Sequence, residues 1–173
     1  MSDSSSSGSY PSRLPFLVSS LLFLLVTSVV STSFRPARML SVEMMQQREE
    51  IVRYAQTFIG TPYKYGSRNP QKGFDCSGFT SYILSKFDVP LSAGSRVQAL
   101  QGKRVPLSEV APGDLLFFGR KGRIRHVALV VENTPGGIVC IHSTRRGVVL
   151  ENVHASSYWR PRILFARDVL GEH

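Results

Sequence analysis

Between residues 113 and 153 the chain carries four short apolar runs, GDLLFFG, HVALVVE, GIVCIHS and GVVLENV. Each is bounded by a turn signal: PG, GRKGR, TPGG or RRG. Runs this short, cut by Gly and Pro, cannot be helices. They read as an antiparallel meander with tight turns. Two helical patterns precede them. In VEMMQQREEIVRYAQTFIG, Met45, Ile51, Val52, Ala55, Phe58 and Ile59 recur at helical spacing, and Gly60 supplies a stop. CSGFTSYILSKF, beginning at Cys76, presents Phe79, Tyr82, Ile83 and Phe87 as an apolar stripe. Helices followed by strands predict an α+β domain, with N-terminal helices packed on an antiparallel β-sheet.

The region ahead of this domain differs in character. Residues 1–13, MSDSSSSGSYPSR, are polar and of low complexity and are expected to be disordered. Residues 14–34 hold no charge and are rich in Leu, Val and Phe. A stretch of about 20 such residues spans a hydrocarbon core as a helix, so this segment is a signal peptide or a membrane anchor. The flanking charges do not predict export strongly, because Arg13 alone precedes the run whereas Arg35, Arg38, Arg48 and Arg53 follow it. Residues 35–46 are read as a linker and 47–170 as the folded domain.

Composition narrows the partners. With 21 Lys and Arg against 12 Asp and Glu, the chain has a net charge of +9, which favours anionic partners. No basic run interleaved with aromatics stands out, so nucleic acid is not the expected one. Two cysteines, Cys76 and Cys140, are too few for a disulfide scaffold or a four-cysteine zinc site, although they suffice for one bridge.

Cys76 lies where a helix begins. Asp75 before it is suited to cap that helix, and unpaired backbone N–H groups in a first turn favour a thiolate, the reactive form of cysteine. Ser77 and Gly78 leave room for close approach. A base is then needed. His126 opens HVALVVE, and His142 lies in GIVCIHS, 16 residues later across ENTPGG. Two strands so joined are antiparallel neighbours, which brings both imidazoles to one sheet face. His126 is placed to accept the thiol proton, and His142 to orient its ring as the third member of a triad does. The competing chemistry is a Cys-His-His zinc set. No C-x-x-C or H-E-x-x-H accompanies these residues, so no metal and no other cofactor is expected.

The ordered set GTPYKYG, GFDCSGF, PGDLLFF, RHVALVV, IHS, GVVLENV and YW resembles the NlpC/P60 family of papain-like cysteine peptidases, over roughly residues 47–170. The resemblance implies a papain-like α+β domain that cuts amide bonds in murein stem peptides. The bond is either γ-D-Glu–diaminopimelate or D-Ala–diaminopimelate. It implies Cys76 as nucleophile, His126 as base and His142 as the orienting residue. It further implies that Tyr63 lines the site and supports the oxyanion or the substrate, and that Asp75 and Ser77 lie near the bound peptide's amine end. The partners so implied are peptidoglycan stem peptides, and the membrane if residues 14–34 stay attached. The location implied is the periplasm or cell envelope. Departures are Gly66-Ser67 where Gly-Gly is common, IHS where IHA is common, and Cys140 at a position usually bulkier, where a buried small hydrophobe is expected. Two rival functions remain: a membrane-tethered module that binds peptidoglycan without cutting it, and an amidase or acyltransferase of the same superfamily.

Overall fold

The computed structural model describes residues 37–171, so the expectations for residues 1–13 and 14–34 lie outside the described residues. Helix α1 spans Ala37–Gln56. It begins within the segment expected to be a linker, which is therefore corrected: from residue 37 onward that segment is helical. No Gly or Pro interrupts residues 37–56, and Ala, Leu, Met, Glu, Gln and Arg dominate them. The helix also ends earlier than its apolar spacing suggests. After Gln56 the N–H groups of Thr57, Phe58 and Ile59 each donate to the carbonyl three residues back. The turn tightens, and Gly60, at φ +89°, hands the chain to the sheet by donating to Val148 O at 2.9 Å.

A small ribbon follows, made of β1 (Arg68–Asn69) and β2 (Gly73–Phe74), and then helix α2 (Cys76–Ser85) and the short helix α3 (Ser95–Gln98). The main sheet contains β3 (Lys103–Val105), β4 (Leu115–Arg120), β5 (Arg123–Thr134), β6 (Gly137–Thr144), β7 (Gly147–Asn152) and β8 (Ile163–Asp168). Their order is β3-β8-β4-β5-β6-β7, every pairing antiparallel. The four apolar runs are the meander β4–β7. At the first hairpin Lys121 and Gly122 both take positive φ, +49° and +74°, as a two-residue turn with the twist of its strands requires. At the last, Gly147 alone does so, at +89°, after Arg145-Arg146.

Strand alternation divides the core between the two sheet faces. Leu115, Phe117, Val127, Leu129, Ile141 and Val148 meet Ile51 and Ala55 of α1 and Phe79, Ile83 and Leu84 of α2. The other face holds Leu116, Phe118, Ala128, Val130, Cys140 and Ala166, with Trp159 and Ile163 packed against them. Cys140 is fully buried there as a small hydrophobe, and both cysteines are free thiols.

One polar cluster ties α1 to the sheet. The Arg48 guanidinium donates to Pro112 O at 2.7 Å, Asp114 Oδ1 at 2.7 Å and Asp168 Oδ1 at 2.8 Å. Asp114 also accepts from the Ala111 N–H at 2.9 Å, so it closes the turn into β4 and takes no part in the site. Burial raises its carboxyl, whereas at Asp168 burial is outweighed by the Leu170 N–H and Arg48. Replacing Arg48 by Met leaves Asp114 buried without its cation. The expected loss is about 3–5 kcal/mol of stability, read from urea midpoints. Adding Asp114→Asn recovers part of it.

Candidate active site

The polypeptide around Cys76 is positioned by Asp75. Its backbone is extended, at φ −87° and ψ 178°, and its carboxylate caps α2 by accepting from the Gly78 N–H at 2.6 Å. The same carboxylate accepts from the Ser77 hydroxyl at 3.1 Å and the Gly66 N–H at 2.8 Å. Cap and ribbon are thereby joined. The Asp75 N–H donates to Ser67 O, and a Cβ on Gly78 would lie 2.1 Å from that same oxygen. The room that Gly78 provides is thus filled by the chain's own loop. On the other side, buried Gln98 donates to Ser77 O at 2.9 Å and accepts from the Thr80 hydroxyl at 2.8 Å, pinning α3 to the first turn of α2. Ser143, the departure in IHS, donates to Phe74 O at 2.7 Å and joins β6 to β2. Tyr63 is 38% exposed, and Phe74 holds the backbone on both sides of it by bonding Pro62 O and Lys64 N.

The N–H groups of Val127, Ser77 and Cys76 itself work to lower the Cys76 thiol, which places the sulfur near Val127. Val127 is the neighbour of His126, so the thiol sits at the strand position where the base was expected. The structure also joins the two histidines: His126 Nε2 and His142 Nδ1 are 2.9 Å apart. The ladder then continues past the expected residues. His142 Nε2 lies 2.9 Å from Glu151 Oε1, Trp159 Nε1–H donates to that oxygen at 2.5 Å, and Arg146 donates to Oε2 at 2.6 Å. Trp159 also stacks on the His126 ring, with centroids 4.7 Å apart and planes at 27°, while Phe118 touches the ring at 5.8 Å.

Glu151, Trp159 and Arg146 are the residues that the linear reading missed. For Glu151 a signal existed. The RRG hairpin pairs His142 with Val149 and Cys140 with Glu151, so alternation puts Glu151 on the histidine face. Trp159 lies beyond the last paired residue of β7, and local pattern does not reach it.

The ladder has a direction. Burial works to raise the Glu151 carboxyl, but the bonds from Arg146, Trp159 and His142 outweigh it and hold it below its ordinary range. An ionised carboxylate only accepts. His142 therefore donates from Nε2, and its Nδ1 is left as an acceptor in the neutral ring. His126 must then donate from Nε2, which leaves its Nδ1 with a free lone pair for a proton. Burial pushes His126 down to about 3, with a further push from His142, and lowers His142 against the pull of Glu151. Burial also raises the Cys76 thiol, with Asp75 adding to it and the three N–H groups opposing. Desolvation of the sulfur thus works against the thiolate that the helix start favours, while burial works to keep the His126 imidazole neutral.

Two measurements check this. Iodoacetamide alkylation of Cys76 in the substrate-free protein is expected to climb about tenfold per pH unit from 7 to 9, following the thiolate fraction. A preformed thiolate–imidazolium pair would instead give a rate that is flat from pH 5. In ¹⁵N spectra His126 is expected to be the Nε2-protonated tautomer alone, and Glu151→Leu is expected to populate both tautomers.

Comparison with known proteins agrees with this architecture. The sequence profile of the NlpC/P60 family matches residues 60–168. Gamma-DL-glutamyl hydrolase of Bacillus subtilis is 36% identical over 129 residues, 72% of this chain and 30% of that protein. Gamma-D-glutamyl-L-lysine dipeptidyl-peptidase, also of Bacillus subtilis, is 39% identical over 119 residues, 64% of this chain and 38% of that protein. The chain thus spans about a third of the length of these relatives. Among solved structures, the NlpC/p60 domain of the peptidoglycan hydrolase SagA superposes with a TM-score of 0.57 at 34% identity, covering 68% of this chain and 95% of that domain. From the ribbon before Cys76 to the last strand of the sheet, this chain belongs to the NlpC/P60 family.

Proposed function

We propose that this protein is a cysteine peptidase that cleaves the γ-D-glutamyl amide of peptidoglycan stem peptides. One observation carries the reading: a hydrogen-bond ladder that starts at an ionised carboxylate and ends in a free imidazole nitrogen on the residue next to the one whose N–H meets the thiol. In the proposed step, the Cys76 sulfur forms a bond to the amide carbon as its proton passes to His126 Nδ1. The carbonyl electrons move to oxygen, where backbone N–H groups at the start of α2 receive the charge, with Tyr63 beside them. The C–N bond then breaks, and His126 returns the proton to the departing amine. Water, deprotonated by His126, attacks the thioester and frees the sulfur. Asp75 and Ser77 stand at the amine end of the bound peptide.

The names of the two Bacillus subtilis relatives support a γ-glutamyl bond over a D-Ala cross-link. The free thiols of Cys76 and Cys140 speak against a binding module silenced by a disulfide. We further propose that the protein works in the cell envelope, a reading supported by the uncharged run 14–34 and by its substrate. Among the described residues no helix is long and apolar enough to cross a membrane.

Purified muropeptides incubated with the protein are expected to yield products whose masses place the cut after γ-D-Glu. Cys76→Ala is expected to lower the rate at least about 1,000-fold, as loss of a nucleophile does. Undiminished cleavage by that variant would overturn the mechanism, and products cut at D-Ala would overturn the assigned bond.

A further inference from the structure

The walls of the cleft on both sides of the Cys76–His126 pair are lined with arginine. A cavity of about 580 Å³ next to Cys76 is bordered by Arg68, Arg96 and Arg125. A second, of about 450 Å³ next to His126, is bordered by Arg145 and Arg146. Tyr63 borders both, so the two cavities adjoin at this residue as two arms, one beside Cys76 and one beside His126. No lysine lines either arm.

These guanidiniums come from separate parts of the fold. Arg68 opens β1, Arg96 lies in α3, and Arg145 and Arg146 form the β6–β7 turn. Arg125 is the extra residue of a β-bulge, since Phe118 pairs with His126 and Gly119 with Ile124. A bulge re-aims the residues next to it, and here the re-aimed pair is Arg125 and His126. All five arginines are exposed. Among the described residues, Arg68, Arg96, Arg125 and Arg145 have no ion-pair partner. The two acids in the cleft do not answer them. Asp75 is held by Gly66, Ser77 and Gly78, and Glu151 by His142, Trp159 and Arg146.

An arginine fork matches a planar carboxylate with two parallel hydrogen bonds, and such charge-assisted bonds are strong where water is partly excluded. A γ-linked glutamyl residue runs its main chain through the side-chain carboxyl, so its α-carboxylate hangs free. We propose that the cleft selects γ-linked acidic peptides bearing free carboxylates on both sides of the scissile bond, and discriminates against the same peptides with those groups amidated. This rests on the peptidase reading above for the position of the scissile bond. Arg68, Arg96 and Arg125 take the carboxylates on the Cys76 side, and Arg145 takes those on the His126 side. Arg146 is left to hold Glu151.

The test uses a pair of γ-D-glutamyl peptides that differ only in free α-carboxylates against α-carboxamides. Wild type is expected to favour the acid about tenfold or more in kcat/KM, and raising NaCl from 50 to 500 mM is expected to erode that preference. Arg96→Gln with Arg125→Gln, and separately Arg145→Gln, are expected to lower kcat/KM on the acid more than on the amide and so bring the ratio toward one. Equal rates on both peptides in wild type, or a ratio unmoved in the variants, would overturn the proposal and leave the peptidase reading intact. Fluorescence anisotropy with the Cys76→Ala protein separates the two ideas. Tighter binding of the acid than of the amide supports the carboxylate cleft even where wild type cleaves neither peptide, the outcome that sinks only the peptidase reading. A glycerol-phosphate oligomer that displaces the acid probe more strongly than a γ-glutamyl oligomer of equal charge would reassign the arginines to phosphate.

Discussion

The docking of α2 on the sheet is the constraint on which the rest of the site depends. Phe79, Ile83 and Leu84 are fully buried against Phe117, Val127 and Ile141. Each buried side chain of this size contributes about 1.5–3 kcal/mol relative to exposure. That stripe sets the rotation of the helix and the height of its first turn. With both set, the Cys76 sulfur is brought near the Val127 N–H of β5. The helix start is then held from three directions: by the Asp75 cap, by the Ser67 carbonyl against Gly78, and by Gln98 on the Ser77 carbonyl. A cysteine on an ordinary surface helix would have none of these restraints.

The opposite face of the sheet supplies the second half of the site. His126 and His142 are next to a core of Cys140, Ala128 and Val130, so their rings are desolvated and stay neutral. Neutral imidazoles hydrogen-bond to each other in either direction. Glu151 removes that ambiguity, because a carboxylate held ionised by Arg146 and Trp159 accepts only. The free lone pair on His126 is thus set from two residues away, and Trp159 fixes both the carboxylate and the plane of the His126 ring. The same burial that lowers the His126 imidazole raises the Cys76 thiol.

Much of this was legible in the chain. The meander β4–β7, the capped helix at Cys76 and the pairing of His126 with His142 all follow from period and turn chemistry, which act over a few residues. The early start of α1 was obscured because the apolar residues of its first turns, Ala37, Met39, Leu40, Val42, Met44 and Met45, are spread around the helix and make no single stripe. The strand β8 pairs with β4 and β3 rather than with its sequence neighbour, so no hairpin signal announces it. No local pattern announces Gln98 or Trp159, since a hydrogen bond to a residue 21 positions away leaves no trace in the neighbouring sequence.

The sequence by itself determined the elements and the places of Cys76, His126 and His142 on them, because helix caps, strand alternation and hairpin turns are local rules. Only the tertiary structure decided which way the protons point, how far burial moves the thiol and the imidazoles, and that arginines from four distant elements face one cleft. Desolvation and convergence are properties of what surrounds a residue in space, and a linear order of residues does not contain them.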